Sequence, residues 1–428
     1  MSEPRAKTRV KTGGGFKAAF RHRDFAMYAV ATFISNTGMW VMRVGVGWYT
    51  WDLTHSGAWL GAVALGQAIP SVLLTPFAGA LADRMDPVKL MRVTQAASFC
   101  FAGLIAAITF AGWATPYLLV AWSLCHGVAF ALGLPARTVI GPNLVPREDI
   151  SAAISVGSVI FGSSMFIGPA ISGLLIQHFG PAWTFTVNAF AYGTMYLALI
   201  PLKLLRAERH QSGGSLLRDT AEGVKFVAHH RGIRSVIGLA FIMSLCVRPI
   251  IDLMPGFADA VFHRPTEGLA TLMSSFGIGA MIGSIWLANR NQLKGTLALS
   301  LAGIATSAAL VIVFAAFGIY YLSVAAMFGV GIAAAFGFNG AQTLVQNAAA
   351  GPMRSRVMGL YAYNFQGVPA AGAMIMGFLS QYLGLQVPAV GAGAVALIAT
   401  LWVWRQRARI AAEMEITAEA PPLKQAAE

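Results

Sequence analysis

The sequence predicts an all-α, polytopic membrane protein with twelve transmembrane helices in two pseudo-symmetric six-helix halves. Three observations support this fold class: the composition, the length of the apolar runs, and short segments that recur at nearly one spacing. Of the 428 residues, 57% are hydrophobic and 11% are charged, and the mean hydropathy is +0.65. Soluble globular proteins contain about 25% charged residues, so this chain has too little charge to cover itself with hydrated surface.

The apolar runs are long enough to cross a bilayer as helices. Roughly 20 helical residues span a bilayer core, whereas barrel strands are short and alternate apolar with polar residues. The uninterrupted runs of this chain therefore indicate helices. The twelve predicted spans are 25–50, 57–81, 89–112, 116–136, 149–177, 182–202, 234–258, 267–289, 295–317, 321–347, 355–381 and 387–404.

The net charge of +13 predicts an orientation in the membrane. Of the 30 Lys and Arg, 27 fall in the terminal segments, in the even-numbered loops or at the span ends beside those loops, while the odd-numbered loops hold Arg264 and the span interiors hold Arg43 and Arg248. Cytoplasmic segments of membrane proteins carry such an excess of Lys and Arg. We therefore expect both termini in the cytoplasm of a bacterial cell, the inner membrane as location, and no nucleic-acid partner.

The polar segments divide the chain into five parts. We expect a basic cytoplasmic N-terminus (1–24), a first six-helix half (25–202), a cytoplasmic linker (203–233), a second half (234–404) and a cytoplasmic tail (405–428). The end of the linker is amphipathic and basic, which is typical of a helix that lies on an anionic membrane surface.

The two halves are weakly self-similar, which suggests a duplicated six-helix unit. Parallel six-helix repeats of this kind build the major facilitator transporters. The recurring pairs, offset by 204 or 206 residues, are LADR (81–84) with LANR (287–290), ALGLPA (131–136) with AFGFNG (335–340), and QHFG (177–180) with QYLG (381–384).

The stretch GALADRMDPVKLM (79–91) resembles the loop motif of the major facilitator superfamily. Segments 21–84, 135–153 and 352–384 are similar to the branch that contains the transmembrane secretion effectors and the enterobactin exporter, and the likeness extends over nearly all of 20–405. The resemblance implies a transporter with an ion-paired latch between its halves on the cytoplasmic side. A plain interfacial charge pair is the alternative. The latch residues would be Gly79, Asp83, Arg84 and Lys89, with a weaker second copy at Asn289 and Arg290.

A second segment, FGSSMFIGPAISGLL (161–175), resembles the antiporter motif of drug-exporting facilitators. Its small residues and proline are suited to close helix approach and bending, and ordinary small-residue packing is the alternative interpretation. Ser172 replaces one glycine of the family pattern. The matching residues are Gly162, Gly168, Pro169 and Gly173.

Polar residues within the spans are candidates for a substrate cavity. A charge in hydrocarbon costs about 2.5–3.5 kcal/mol or more, so it should face a cavity or a partner. Asn36, Trp40 and Arg43 share one helical face, and an amide, an aromatic ring and a cation suit a planar or anionic substrate. A general structural role for Arg43 is the alternative. The full predicted cavity set is Asn36, Trp40, Arg43, Gln67, His126, Asn364 and Gln366.

Two sites are candidates for proton coupling. Arg248 and Asp252 lie four residues apart and hence on one helical face. Asp252 is expected to carry the proton. The alternatives are that the two residues form a periplasmic gate pair, or that they only pair their charges within the helix. His126 is the second candidate because histidine titrates near neutral pH. A neutral, hydrogen-bonded His126 that packs between helices is the competing interpretation.

These observations predict a secondary transporter that exports a small amphipathic molecule, drug-like or siderophore-like, by alternating access with proton antiport. Import of a nutrient or anion, and a non-transporting membrane partner or sensor, remain the alternatives. The sequence holds no P-loop, catalytic constellation or clustered metal ligands, so we expect neither an enzyme nor a cofactor. The expected partners are the substrate, the proton and the bilayer, and a monomer suffices because one chain supplies both halves.

Overall fold

A computed structural model describes residues 17–205, 216–290, 292–349 and 353–415, and within these ranges the regular elements are helices. The first half contains α1 Lys17–Phe20, α2 Arg23–Thr54, α3 Gly57–Arg84, α4 Pro87–Phe110, α5 Pro116–Asn143, α6 Ile150–Phe179 and α7 Ala182–Ala198. The segment expected as the linker contains α8 Leu216–His229. After it come α9 Arg231–Cys246, α10 Ile250–Gly256, α11 Thr266–Arg290, α12 Thr296–Ala316, α13 Tyr320–Ala348, α14 Met353–Gln366, α15 Val368–Leu383 and α16 Gln386–Trp404 of the second half, and α17 Arg407–Met414.

Helices occupy all twelve predicted span positions, but only part of the count is established. Within the described residues, nine helical stretches are long and apolar enough to cross a membrane. The predicted spans 25–50, 182–202 and 355–381 are not among them. The first contains Arg43, α7 has 17 residues, and the last is divided between α14 and α15. The all-helical membrane fold is confirmed, and the number twelve stays a prediction.

Local sequence determines where several helices begin. The carboxylate of Asp86 accepts hydrogen bonds from the backbone N–H groups of Val88 (2.8 Å) and Lys89 (3.0 Å), with Pro87 at the first position of α4. Thr115 caps α5 in the same way, and Pro116 follows it. A side-chain acceptor followed by proline satisfies the free N–H groups of a helix start.

The internal repeat is visible in the backbone. Gly180 ends α6 with φ 89° and ψ 168°, and Gly384 ends α15 with φ 70° and ψ 169°. Residues with a side chain rarely adopt these positive φ values. The matched segments QHFG and QYLG therefore end their helices with the same glycine conformation.

Glutamates at the end of the C-terminal helix α17 cap the N-termini of two helices of the second half. The Glu413 carboxylate accepts from the backbone N–H of Gly232 at 2.8 Å. The Glu415 carboxylate accepts from the N–H groups of Gly295 and Leu297, both at 2.8 Å. A carboxylate at a helix N-terminus is favourable both as an acceptor and through the helix dipole, so α17 caps α9 and α12.

The halves meet along two helix pairs, α3 with α15 and α6 with α11. We call the side on which α2 begins and α3 ends the basic side, and the side on which α2 ends and α3 begins the distal side. The largest buried apolar cluster contains Phe257 and Phe314 of the second half and also Val44 and Leu60 of the first. A separate cluster lies within the first half, around Met91 and Ile140. Buried apolar packing therefore crosses the interface between the halves.

Candidate functional site

An ion pair joins the two halves at the centre of their interface. Arg43 on α2 donates from Nη2 to Oδ1 of Asp252 on α10 over 2.7 Å. The Arg43 side chain is 41% exposed, and that of Asp252 is 14% exposed. The structure therefore pairs Asp252 with Arg43 of the other half, which corrects the expected pairing with Arg248 on the same helix.

Arg248 instead lies against aromatic rings. Its guanidinium carbon is 3.9 Å from the ring centroid of Phe365 and 5.2 Å from that of Phe338, and these two rings meet edge to face at 5.6 Å. Among the described residues, no ion pair involves Arg248. A cation held on aromatic faces keeps its N–H donors at the edge of its plane.

Arg248 occupies a break in its helix, where residues 247–249 separate α9 from α10. Pro249 lacks the backbone N–H that a continuous helix requires. A second break, at Gly367, separates α14 from α15. The two broken helices touch, since a Cβ on Gly372 of α15 would lie 2.5 Å from Cγ of Pro249.

The face of α2 that carries Asn36, Trp40 and Arg43 is only partly accessible to solvent. Trp40 is buried, with the Arg43 guanidinium 5.4 Å from its ring and the ring of Phe161 6.3 Å away. Its indole N–H is buried without a described partner. Asn36, one turn earlier, is half-buried. The accessible polar groups of this face are therefore Arg43 and Asn36.

The remaining predicted cavity residues lie in three settings. Gln67 on α3 is half-buried, and its backbone packs against Gly127 of α5. Asn364 on α14 is 6% exposed, and its Oδ1 has no described partner. Gln366 is half-buried at the end of α14, beside the break. Their contact with a substrate stays a prediction.

His126 lies in the packed interior of the first half. It is fully buried, its Nε2 is 3.0 Å from Oη of Tyr192, and its ring stacks on Trp122 at 5.1 Å. These contacts correct the expected position of His126 in the central cavity. They agree with the competing interpretation, a hydrogen-bonded histidine between helices.

The antiporter-like segment brings α6 against two other helices. A Cβ on Gly168 would lie 3.1 Å from the backbone oxygen of Thr37 on α2. Gly173 packs against the side chain of Ala270 on α11, in the other half. Pro169 is buried beside them, and a Cβ on Gly162 would meet Met281 at 3.7 Å. The motif therefore makes close contacts both within its half and across the interface.

The described residues of the predicted latch lie on the basic side. No described atom lies within 4 Å of where a Cβ of Gly79 would be, and Arg84 and Lys89 are exposed. The side chain of Asp83 lies outside the described residues. In the second copy, Asn289 is exposed and Arg290 donates to the backbone oxygen of Lys294 at 2.9 Å. An engaged latch stays a prediction for another conformation.

The distal side is closed by contacts that the sequence analysis did not single out. Gly57 and Gly377 meet backbone to backbone, and a Cβ on Gly61 would lie 2.5 Å from Cα of Met374. Trp51 donates its indole N–H to Oδ2 of Asp259 at 2.8 Å. The GAWLG string (57–61) was the available signal, because glycines four residues apart promote close helix packing.

The halves diverge from the distal side to the basic side. Along α3, Gly57 and Gly61 touch α15, whereas Gly79 meets no described atom. Along α6, Gly173 is in tight contact with Ala270 of α11, whereas a Cβ on Gly162 would reach only Cγ of the Met281 side chain, at 3.7 Å. The partly exposed Arg43–Asp252 pair therefore lies in an interface that is sealed distally and opens toward the basic side.

A family model described as transmembrane secretion effector matches residues 15–426 of this chain. The chain belongs to the transmembrane secretion effector family. Members of this family are major facilitator transporters, so this protein is a multi-pass membrane transporter. The resemblance inferred from the motifs is thereby confirmed.

Relatives of this chain include proteins named as transporters of enterobactin and staphyloferrin A and a protein named for macrolide efflux. The enterobactin exporter EntS of Escherichia coli O127:H6 is 28% identical over 389 residues, 86% of each chain. The staphyloferrin A transporter of Staphylococcus aureus is 26% identical over 60% of this chain and 65% of its own length. Macrolide efflux protein A of Streptococcus pyogenes is 19% identical over 58% of this chain and 62% of its own length. The chain thus spans less than two thirds of several of the relatives that it matches.

Solved structures of other transporters have the same fold as this chain. A bacterial homolog of the human lysosomal transporter Spinster, in an inward-facing and unoccupied conformation, matches with a TM-score of 0.73 at 11% identity, over 93% of this chain and 99% of that chain. The nucleoside transporter NupG matches with a TM-score of 0.68 at 14% identity, over 92% of this chain and 100% of that chain. Both likenesses concern the fold alone.

Proposed function

We propose that this protein exports a small amphipathic molecule, siderophore-like or drug-like, from the cytoplasm by alternating access. The observation that carries the proposal is the Arg43–Asp252 ion pair, which ties the halves together below the closed distal side. A molecule that enters from the open basic side reaches this pair before it reaches the seal. Breaking the pair removes an interaction that holds the distal side closed.

Asp252 is the proposed proton carrier of an antiport cycle. A substrate that enters from the basic side breaks the ion pair with Arg43, and the distal contacts are then free to open. After the substrate has left on the distal side, a proton from that side neutralises the carboxylate. The distal side then closes, the proton leaves toward the cytoplasm, and the ion pair re-forms. His126 is not part of this cycle, because its ring is fully buried against Trp122 and Tyr192.

Two relatives support export as the direction. EntS is named an enterobactin exporter and its match covers 86% of this chain, and macrolide efflux protein A is named for efflux. The staphyloferrin A transporter adds a second siderophore to the set. These names support an amphipathic substrate, with siderophores as the first compounds to test.

The proposed topology follows the charge distribution. The basic side would face the cytoplasm of a bacterial cell with both termini, in agreement with the positive-inside rule, and the open state would then face inward. The amphipathic linker helix α8 would lie on the inner surface of the membrane. A monomer would suffice for transport.

The test is proton movement in proteoliposomes that contain a pH-sensitive dye. A panel of siderophores and amphipathic drugs is added to wild type, Asp252→Asn and the control Asp52→Asn, whose carboxylate is exposed at the distal end of α2. We expect a substrate-triggered proton flux in wild type and in Asp52→Asn, and its loss in Asp252→Asn.

Other outcomes would contradict the proposal in distinct ways. Flux that survives in Asp252→Asn excludes this carboxylate as the carrier. Substrate movement without proton flux makes the protein a uniporter, and substrate accumulation with the proton gradient makes it an importer. A well-folded protein that moves no compound, and whose cellular phenotype is indifferent to Arg43 and Asp252, is a sensor or membrane partner.

A further inference from the structure

The centre of the interface contains two arginines and one aspartate. Asp252 is bound to Arg43 at 2.7 Å, and Arg248 lies within electrostatic range of both members of that pair. Within the described residues, Arg248 has aromatic contacts and no ion pair. The local net charge is therefore positive when Asp252 is ionised.

The other acidic groups of the neighbouring helices do not balance this charge. Asp259 lies at the distal end, where its carboxylate accepts from the Trp51 indole at 2.8 Å and is 3.8 Å from Nδ1 of His55. Asp52 is exposed at the distal end of α2. An uncompensated cation inside a membrane protein is costly, and such residues mark binding sites or ion pathways.

The geometry of Arg248 leaves its hydrogen-bonding edge available. A guanidinium stacked face-on against a ring, here Phe365 at 3.9 Å, still presents N–H donors in its plane. Those donors match the two oxygens of a carboxylate or a similar oxyanion. Phe365 is itself 43% exposed, so a planar group beside that oxyanion could stack on the same ring.

The location of Arg248 supports a binding role. It lies in the break between α9 and α10, and Phe365 lies at the end of α14, directly before the break at Gly367. In transporters built from repeats, substrate sites lie near the bilayer midplane where such discontinuous helices meet. Arg43 reaches this region from the other half through its ion pair with Asp252.

We propose that Arg248 and Arg43 together recognise an oxyanion of the transported molecule, so that the substrate is an organic anion with a planar group beside its charge. This inference rests on the proposed function only in taking the bound molecule as the one transported. When one oxyanion binds both guanidinium groups, its charge and that of Asp252 balance the charges of the two arginines.

The test compares two probes of nearly the same shape that differ in charge, 2-naphthoate and 2-naphthamide. Their affinities are measured by calorimetry with the purified full-length protein in lipid nanodiscs, without any gradient. We expect wild type to bind naphthoate at least about tenfold more tightly than naphthamide, the value of one charge-assisted hydrogen bond. Arg248→Gln should abolish this preference, and Arg248→Lys should retain part of it because a charge remains without the planar fork.

Arg264→Gln is the matched control. Arg264 also stacks on aromatic rings, 4.9 Å from Tyr320 and 5.8 Å from Tyr321, but it lies in the distal loop before α11. Its replacement should leave the preference for naphthoate unchanged. A thermal unfolding scan of each variant confirms that the protein used for calorimetry is folded.

Equal affinity for both probes in wild type, no binding of naphthoate, or a preference that survives in Arg248→Gln would overturn the proposal. These results are separate from failure of the proposed function, because binding without a gradient depends on neither direction nor proton coupling. A protein that exports neutral drugs and shows no preference for naphthoate would retain the function and lose the inference. If the protein exports nothing but prefers naphthoate in a way that depends on Arg248, the inference stands and the proposed function fails.

Discussion

Gly57 and Gly377 touch through their backbones across the interface between the halves. A Cβ on Gly377 would lie 2.5 Å from the carbonyl carbon of Gly57 and 3.1 Å from the backbone nitrogen of Ala58. Real Cβ atoms do not approach backbone atoms this closely, so even alanine would force α3 and α15 apart. The distal seal therefore depends on the absence of a side chain at this point.

Gly377→Ala should shift the population from the distally closed to the distally open state. We expect a cysteine introduced near the distal end of α3 to react faster with a membrane-impermeant thiol reagent in this variant. Gly391→Ala on α16 is the control, because no described atom lies within 4 Å of its Cβ position. Unchanged labelling in Gly377→Ala would contradict the proposed seal.

The Arg43–Asp252 pair should contribute little to the free energy of unfolding and more to the equilibrium between the distally closed and distally open states. Because Arg43 is 41% exposed, screening by water limits the coupling free energy to about 1 kcal/mol or less. A double-mutant cycle with Arg43→Gln and Asp252→Asn measures it. We expect each single variant to label faster at the distal side, and the double variant to show no added effect. Strictly additive labelling rates would show that the two side chains act independently.

Glu415 should stabilise the second half. Its carboxylate accepts from two N–H groups at the start of α12, and the loss of a helix cap costs about 0.5–2 kcal/mol. Glu415→Ala should therefore lower the Tm in a fluorescence-detected unfolding scan. Arg409→Ala, an exposed position of α17, serves as control and should leave the Tm within error. Equal Tm values for both variants would rule out the capping role.

Substitution of His126 should lower the stability of the fold and leave the substrate-triggered proton flux unchanged. Truncating a fully buried aromatic side chain costs about 3–5 kcal/mol, so His126→Ala should lower the Tm strongly. His126→Gln keeps a polar group near Tyr192 and is the variant to reconstitute. We expect its substrate-triggered proton flux per folded molecule to match wild type. Loss of flux in folded His126→Gln would restore histidine as a proton carrier.

The sequence predicted the features that follow from local composition. Apolar runs gave the helices, and the repeat pairs led to the matched ends at Gly180 and Gly384. Helical periodicity also placed Arg43 on a partly exposed face. These features depend on residues close together in the chain, which is the range over which period and propensity carry information.

The partners across the interface could not be predicted in the same way. Asp252 was expected to pair with Arg248 because the two share a helical face, yet the break at Pro249 turns Arg248 toward Phe365 and leaves Asp252 for Arg43. His126 resembled a cavity residue because sequence periodicity does not distinguish a cavity from a packed groove. Both differences arise from contacts between residues more than 60 positions apart.

Because of the helix breaks, the second half is more flexible than the first. In the first half, α2 and α6 run unbroken for 32 and 30 residues, while in the second half α9 and α10, and α14 and α15, are jointed at residues 247–249 and at Gly367. A jointed helix bends at lower cost than a continuous one, since fewer backbone hydrogen bonds must be strained. During transport, the first half would therefore move as a rigid body, and the second half would bend around the substrate.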